Sequence, residues 1–185
     1  MPPRRIDAPG HGERPRTAED EALSAGIQQL RAAGEPIAPL IATDQSTRAS
    51  RTAADWRAVL NALQDLDQVG AGGLVGYWGL SLGGAVGLHL LANEPRIGAA
   101  VLGLVGSEAV VEVARAVTAP VQLVVQWDDE LVPLPSALAL FEALASPQKT
   151  LHANPGRTSK TRPGSRSAYG DRPAGCGSRD ESPGS

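Results

Sequence analysis

The fold is decided by residues 74–84, which read Leu74-Val75-Gly76-Tyr77-Trp78-Gly79-Leu80-Ser81-Leu82-Gly83-Gly84. The apolar start of this stretch predicts a short strand, and the apolar residues 85–92 that follow predict a helix. Between them, Ser81 stands two residues from Gly79 and two from Gly83, which allows a turn too tight for larger flanking residues. We therefore predict a strand, a sharp turn and a helix, with the Ser81 hydroxyl pushed out of the backbone.

A glycine-x-serine-x-glycine pattern is weak evidence by itself, because an ordinary turn often contains the same residues. Here the pattern follows an apolar run and opens an apolar helix, which is the context of a nucleophile elbow. We predict that Gly79, Ser81 and Gly83 form such an elbow. A plain turn is the alternative.

Composition limits the other possibilities. The 185 residues suffice for one domain with a core, and the net charge of −3 provides no basic surface for nucleic acid or an anionic membrane. The single cysteine, Cys176, excludes an internal disulfide and a cysteine-based metal site. The sequence shows neither an 18-residue apolar run nor the apolar segment of a signal peptide at its start. We expect a cytoplasmic protein that needs no metal or organic cofactor.

Two helices are predicted before the elbow. Thr17 caps a helix that runs to about Ala33, and Thr52, with Asp55 three residues later, caps a second helix that runs to Leu66. Between these helices, residues 36–50 are interpreted as a short apolar piece followed by a polar loop.

Strands and helices alternate after the elbow. Strands are predicted at 97–105, at 121–127 and from Lys149 onward, with helices at 110–117 and 136–145 between them. This alternation predicts an α/β fold with a parallel sheet and helices on both of its faces. Residues 157–185 are rich in glycine, proline, serine and arginine, and we expect them to form a disordered tail after a domain that covers residues 1–156.

Four motifs together resemble the α/β-hydrolase superfamily, most closely its esterase and dienelactone-hydrolase-like branch. They are Asp7-Ala8-Pro9-Gly10-His11-Gly12, the elbow at 79–84, Asp129-Glu130-Leu131-Val132-Pro133, and Leu151-His152-Ala153-Asn154-Pro155-Gly156. The resemblance covers residues 6–156. It implies a partial α/β-hydrolase fold, a mostly parallel sheet flanked by helices that lacks the family's first strands.

The resemblance also implies a site. Ser81 is the nucleophile that forms an acyl-enzyme with a small ester or lactone, the amide of Leu82 donates to the oxyanion, and Asp129 orients the catalytic histidine, with Asp128 as the second choice. The family places that histidine soon after the Pro-Gly at 155–156, but this chain continues Arg157-Thr158-Ser159.

None of the three histidines of the chain stands at the position where the family has its catalytic histidine. His152 is the candidate for a substitute base, His11 belongs to a loop that shapes the site in the family, and His89 lies within the elbow helix, where packing or surface placement explains it. The missing histidine suggests a partial reading frame that is out of frame near Arg157. It also keeps open a second hypothesis, a non-catalytic module that binds a small acyl ligand or a partner chain.

Nucleotide binding through Gly70, Gly72, Gly73 and Gly76 is a third hypothesis. These glycines precede the strand instead of joining it to a helix, so no helix N-terminus is available there for a phosphate.

Overall fold

A computed structural model describes residues 5–67, 69–70 and 72–157. In chain order the elements are α1 (Ala18–Ala33), α2 (Ala38–Gln64), β1 (Val75–Leu80), α3 (Leu82–Leu91), β2 (Ile97–Gly103), α4 (Glu108–Ala114), β3 (Val121–Gln126), α5 (Leu134–Ala143) and β4 (Lys149–Asn154). The strands form one parallel sheet in the order β1-β2-β3-β4. The predicted α/β class is confirmed, and so is the predicted partial sheet flanked by helices. Apart from Arg157, the predicted tail lies outside the described residues, and the domain boundary at 156 stays a prediction.

Helix α1 begins and ends where the sequence predicts. The Thr17 hydroxyl accepts from the Asp20 amide at 3.3 Å, and the Asp20 carboxylate accepts from the Thr17 amide at 2.7 Å. This reciprocal pair satisfies two amides that the first turn of a helix leaves without partners. Gly34 ends the helix in the left-handed conformation, at φ 72°.

Helix α2 corrects the prediction for residues 36–66. Residues 38–64 form one continuous helix, so Thr52 lies inside it and caps nothing. The Thr52 hydroxyl donates to the Arg48 carbonyl at 2.8 Å, and the Thr43 hydroxyl donates to the Pro39 carbonyl at 3.1 Å. These hydroxyls bond to the preceding turn of the same helix instead of capping a new helix or forming a turn, so the polar stretch is helical where the sequence suggested a loop.

The strand and helix predictions after the elbow are correct to within two or three residues. Strand β2 ends at Gly103 instead of 105, α5 begins at Leu134 instead of 136, and β4 begins at Lys149 as expected. Differences of this size are usual at the ends of elements, which fray.

The two faces of the sheet differ. One face carries Tyr77, Leu102, Leu123 and Leu151, which are buried or half-buried. Helix α3 packs on that face so closely that a Cβ on Gly87 would lie 2.5 Å from both Leu102 and Tyr77. On the other face Trp78 is 60% exposed. The described helices leave that face uncovered at Trp78, so the prediction of helices on both faces is not confirmed.

Arg48 connects the parts of the chain that precede the sheet. Its guanidinium pairs with Asp20 of α1, donates to Asp44 one turn earlier at 2.7 Å, and donates to the Pro9 carbonyl at 2.7 Å. The side chains of Arg48 and Asp20 are each only 10% exposed. Hydrogen bonds from Thr17 and the Arg48 guanidinium outweigh burial and lower the pKa of Asp20. The cluster fixes the N-terminal loop and α1 against α2.

We expect Arg48→Met to destabilise the fold. Removing one partner of a buried ion pair leaves the other charge uncompensated, which typically costs about 3–5 kcal/mol of unfolding free energy. Urea unfolding followed by circular dichroism measures the loss.

Arg51→Met is the matched control. Arg51 lies 3.8 Å from Glu19, and both side chains are mostly exposed, at 64% and 82%. Exposed pairs contribute about 0–1 kcal/mol, so this variant should unfold almost like the unmodified chain. Equal losses in the two variants would contradict the role assigned to the buried cluster.

Candidate active site

Ser81 occupies a strained turn between β1 and α3. Its backbone has φ 54° and ψ −118°, a conformation that a residue with a side chain rarely adopts. Its amide donates to the Gly103 carbonyl at 2.8 Å, and its carbonyl accepts from the Ala85 amide at 3.1 Å. The serine itself is exposed. The sharp strand-to-helix turn predicted from the sequence is therefore present at Ser81.

Of the two flanking glycines, Gly79 is required by a contact within the turn, whereas a Cβ on Gly83 would meet only the Tyr77 hydroxyl, at 4.0 Å. A Cβ on Gly79 would lie 2.4 Å from the Gly83 carbonyl oxygen, a distance that real side chains do not reach. The Tyr77 hydroxyl donates to the same oxygen at 2.8 Å. Burial raises the pKa of Tyr77, which keeps its phenol protonated as this donor. The close approach of Gly79 and the hydrogen bond from Tyr77 thus both fix the Gly83 carbonyl oxygen.

Gln45, on α2, contacts the serine directly. Its side-chain amide donates to Ser81 Oγ at 2.9 Å. The sequence gives no local signal for Gln45 at the site, because this residue falls in a stretch predicted to be a loop. Recognition of the helix would have shown that Ala38, Ile41, Ala42 and Gln45 share one face, and all of them line a cavity beside Ser81.

Asp129 lines the same cavity. Asp129 is only 9% exposed. Its Oδ1 accepts hydrogen bonds from the amides of Leu131 and Val132, at 2.8 and 3.1 Å. Its Oδ2 has no hydrogen-bond partner among the described residues. Asp128, the second choice from the sequence, is exposed. The structure thus brings Ser81 and Asp129 to one cavity, as expected if Asp129 is the acid of the site.

Other features of the cavity were not visible in the sequence. Leu104, which follows β2, also lines it and also has a positive φ, 53°. Strained residues that gather at one place are typical of functional sites. Leu82 is the first residue of α3, and the first four amides of a helix have no partner within it. Such amides, at the positive end of the helix dipole, favour a nearby negative charge.

The three histidines of the chain lie elsewhere. His152 is exposed on the open face of the sheet, in register with Val124 of β3. Its strand is three strand spacings, about 14 Å, from β1. His11 Nδ1 lies 3.1 Å from the Pro9 carbonyl. His89 Nε2 is buried without a partner among the described residues, and burial lowers its pKa. None of the three lines the cavity, so the geometry does not support His152 as a substitute base.

No group of three His, Cys, Asp or Glu side chains within residues 5–67, 69–70 and 72–157 is arranged to hold a metal ion. Of the helices described, none has the length and apolar character to cross a membrane.

Some proteins of solved structure are similar to this chain. No protein-family model matches the chain, and a search of curated proteins finds no match. The chain is 38% identical to a PEG-bound cold-adapted esterase from an Arctic intertidal metagenomic library, with a TM-score of 0.57 over 82% of this chain and 58% of that one. An esterase of Pyrococcus furiosus shares the fold at 15% identity, with a TM-score of 0.51 over 57% of this chain and 52% of its own. The chain therefore spans less than two thirds of either relative.

We expect Gly79→Ala to destabilise the turn at Ser81, because its methyl group would collide with the Gly83 carbonyl. Overpacking of this kind costs about 1–3 kcal/mol. Urea unfolding measures the loss. Gly76→Ala, in the same strand, is the control, because a Cβ there meets nothing within 4 Å. If Gly79→Ala unfolds no earlier than Gly76→Ala, the close approach at Gly79 does not require glycine.

Proposed function

We propose, from the premise that the chain belongs to the α/β-hydrolase superfamily, that it is a carboxylic ester hydrolase whose nucleophile is Ser81. The observation that carries this proposal is the pairing of a strained, exposed serine with a buried carboxylate at one cavity. The 38% identity to an esterase supports the same class of reaction.

Ser81 Oγ would attack the carbonyl carbon of the ester and form an acyl-enzyme. A hydroxyl oxygen accepts up to two hydrogen bonds and donates one. Because Gln45 already donates to Ser81 Oγ, the serine proton remains available for a base. The Leu82 amide, at the N-terminus of α3, would donate to the negative charge that develops on the carbonyl oxygen.

Asp129 would orient the base and stabilise it once it is protonated. Its Oδ1 is held by the amides of Leu131 and Val132, so the carboxylate cannot rotate without losing both bonds. The second oxygen is the one left to accept from the base. A positioned general base contributes typically about 10²–10⁴-fold to such a reaction. Because no histidine of this chain lines the cavity, we expect its own turnover to be slow.

A groove beside the cavity would hold the rest of the substrate. It has a volume of about 560 Å³, and Ala38 and Leu131 line both spaces. Pro36 and Ile37 add apolar surface to the groove, and Arg31, Glu35 and Glu130 add charge. Such a groove suits a small ester or lactone with an apolar part. A cytoplasmic location, without nucleic-acid or membrane partners, remains part of this proposal.

A second candidate function is a non-catalytic module that binds a small acyl ligand. The placement of His11, His89 and His152 away from the cavity favours it. This module would bind an ester or acid without turning it over, and Ser81→Ala would leave that binding intact.

We expect a fluorophosphonate probe to label the chain and to leave Ser81→Ala unlabelled. The same pair should differ in the hydrolysis of p-nitrophenyl acetate, with the slow turnover of the unmodified chain lost in the variant. Ser107→Ala is the matched control, because the Ser107 side chain caps no amide of α4 and lies outside the cavity. Circular dichroism checks that all three proteins are folded.

His152→Ala tests whether His152 acts as the base. We expect labelling of this variant to equal that of the unmodified chain, since His152 lies on the open face of the sheet. Loss of labelling would show that His152 is the base after all. If the folded, unmodified chain is not labelled, the hydrolase proposal fails and the binding module remains.

A further inference from the structure

We infer that Gln45 is a further catalytic residue, whose side-chain amide donates a hydrogen bond to the oxyanion that forms when Ser81 attacks an ester. It acts together with the backbone amide of Leu82. The inference rests on the proposed function, and it adds to that function a side chain of α2 that lies far from Ser81 in the sequence.

The first support is the contact between Gln45 and the attacking atom. Gln45 Nε2 lies 2.9 Å from Ser81 Oγ. An amide NH₂ group carries two N–H donors, and this contact uses one of them. Within the described residues, the bond to Ser81 is the only hydrogen bond that the Gln45 side chain makes. One donor therefore remains for a second acceptor beside Oγ.

That second acceptor arises in the reaction itself. As Ser81 Oγ bonds to the ester carbon, the carbonyl electron pair moves to the carbonyl oxygen, and the serine proton passes to solvent water or hydroxide, which acts as the base. Oγ and the new oxyanion are then bonded to the same tetrahedral carbon, so they are neighbours. The two N–H groups of Gln45 diverge from one nitrogen and can bridge this pair of oxygens.

The amide of Gln45 binds the transition state more strongly than the substrate. Oγ becomes a weaker acceptor as it bonds to carbon, whereas the carbonyl oxygen gains a negative charge, so the interaction strengthens as the reaction proceeds. Only interactions of this kind accelerate the chemical step. Collapse of the intermediate returns the electron pair to the carbonyl and expels the alcohol, and Gln45 neither gains nor loses a proton.

The second support is the shortage of other donors in the cavity. Of the described side chains that line it, only that of Gln45 carries an N–H group, and none is a lysine or an arginine. The amides of Leu131 and Val132 already donate to Asp129. A negative charge that develops beside the serine therefore depends on Gln45 and on the first amides of α3, which have no partner within that helix.

The third support is the fixed position of Gln45. It lies on α2 one turn before Arg48, whose guanidinium holds Asp20 and the Pro9 carbonyl. Gln45 is half-buried, and most of the residues that line the cavity with it are apolar. A donor that is already in place in such surroundings stabilises a developing charge without reorganisation, and it does so more strongly than water would.

The test is the rate at which Ser81 reacts in Gln45→Ala. Alanine favours the helix at least as well as glutamine, so this variant should fold, which circular dichroism checks. Loss of one oxyanion donor typically lowers kcat about 10²–10³-fold. We expect the kcat for p-nitrophenyl acetate to fall toward the rate of Ser81→Ala, with KM unchanged, and fluorophosphonate labelling to slow by a similar factor. Gln28→Ala, at an exposed residue of α1 outside the cavity, is the control and should react like the unmodified chain.

Gln45→Glu separates a donor from a side chain that only fills space. Glutamate has nearly the same shape, but at pH 8 it is ionised, has no donor and places a negative charge beside the oxyanion. We expect this variant to be labelled more slowly than Gln45→Ala. Labelling at least as fast as that of Gln45→Ala would overturn the inference.

NMR of the full ¹⁵N-labelled chain observes the donor directly. The Gln45 side-chain signals are identified by their absence in Gln45→Ala. After reaction with the fluorophosphonate, one N–H proton of Gln45 should move downfield, because it bonds to the phosphonyl oxygen that occupies the oxyanion position. Side-chain signals that stay unchanged on labelling would contradict the role of Gln45.

The outcomes distinguish this inference from the proposed function. Labelling that requires Ser81 and is equally fast in Gln45→Ala would leave the hydrolase intact and overturn the role of Gln45. If the folded, unmodified chain is not labelled, the proposed function fails and the inference that rests on it fails too.

Discussion

The close approach of the backbone to itself at Ser81 is the constraint on which the rest of the structure depends. Strand β1 must pass into helix α3 within one residue, and the Gly79 position lies against the Gly83 carbonyl. No side chain fits between them, so the turn requires glycine at position 79. The strain at Ser81 is maintained by β2, whose last residue accepts from the serine amide. The sheet and the site therefore stabilise each other.

Helix α2 links this turn to the beginning of the chain. Its Arg48 holds Asp20 and the Pro9 carbonyl, and one turn earlier its Gln45 reaches Ser81. A charged cluster in a buried position is costly unless every member is paired, which makes the placement of α2 specific. The residues of α2 that line the cavity are thus positioned by contacts of Arg48 that lie outside the cavity.

The candidate site has a serine and a buried carboxylate but no histidine. Ser81, the proposed nucleophile, and the buried carboxylate of Asp129, the proposed acid, line one cavity, and Leu82, whose amide is the candidate oxyanion donor, begins the helix after Ser81, whereas no histidine of this chain lines the cavity. The face of the sheet that carries Trp78 is also incompletely covered, since Trp78 is 60% exposed. One oxygen of Asp129 has hydrogen-bond partners, while the other has none among the described residues.

The sequence alone determined the features that depend on local spacing. The strand, turn and helix around Ser81, the cap at Thr17, and the alternation of strands and helices after residue 74 follow from patterns of a few residues, and the described structure agrees with them. The choice of Asp129 over Asp128 came from the resemblance and stays a prediction, although Asp129 is buried and Asp128 is exposed. Only the tertiary structure decided the course of α2, since Thr52 has the pattern of a cap but bonds back to Arg48. It also decided the contact of Gln45 with Ser81 and the distance of His152 from the cavity, because residues far apart in sequence meet according to how helices and strands pack. Local patterns specify backbone conformation, and the meeting of side chains across elements is specified by packing.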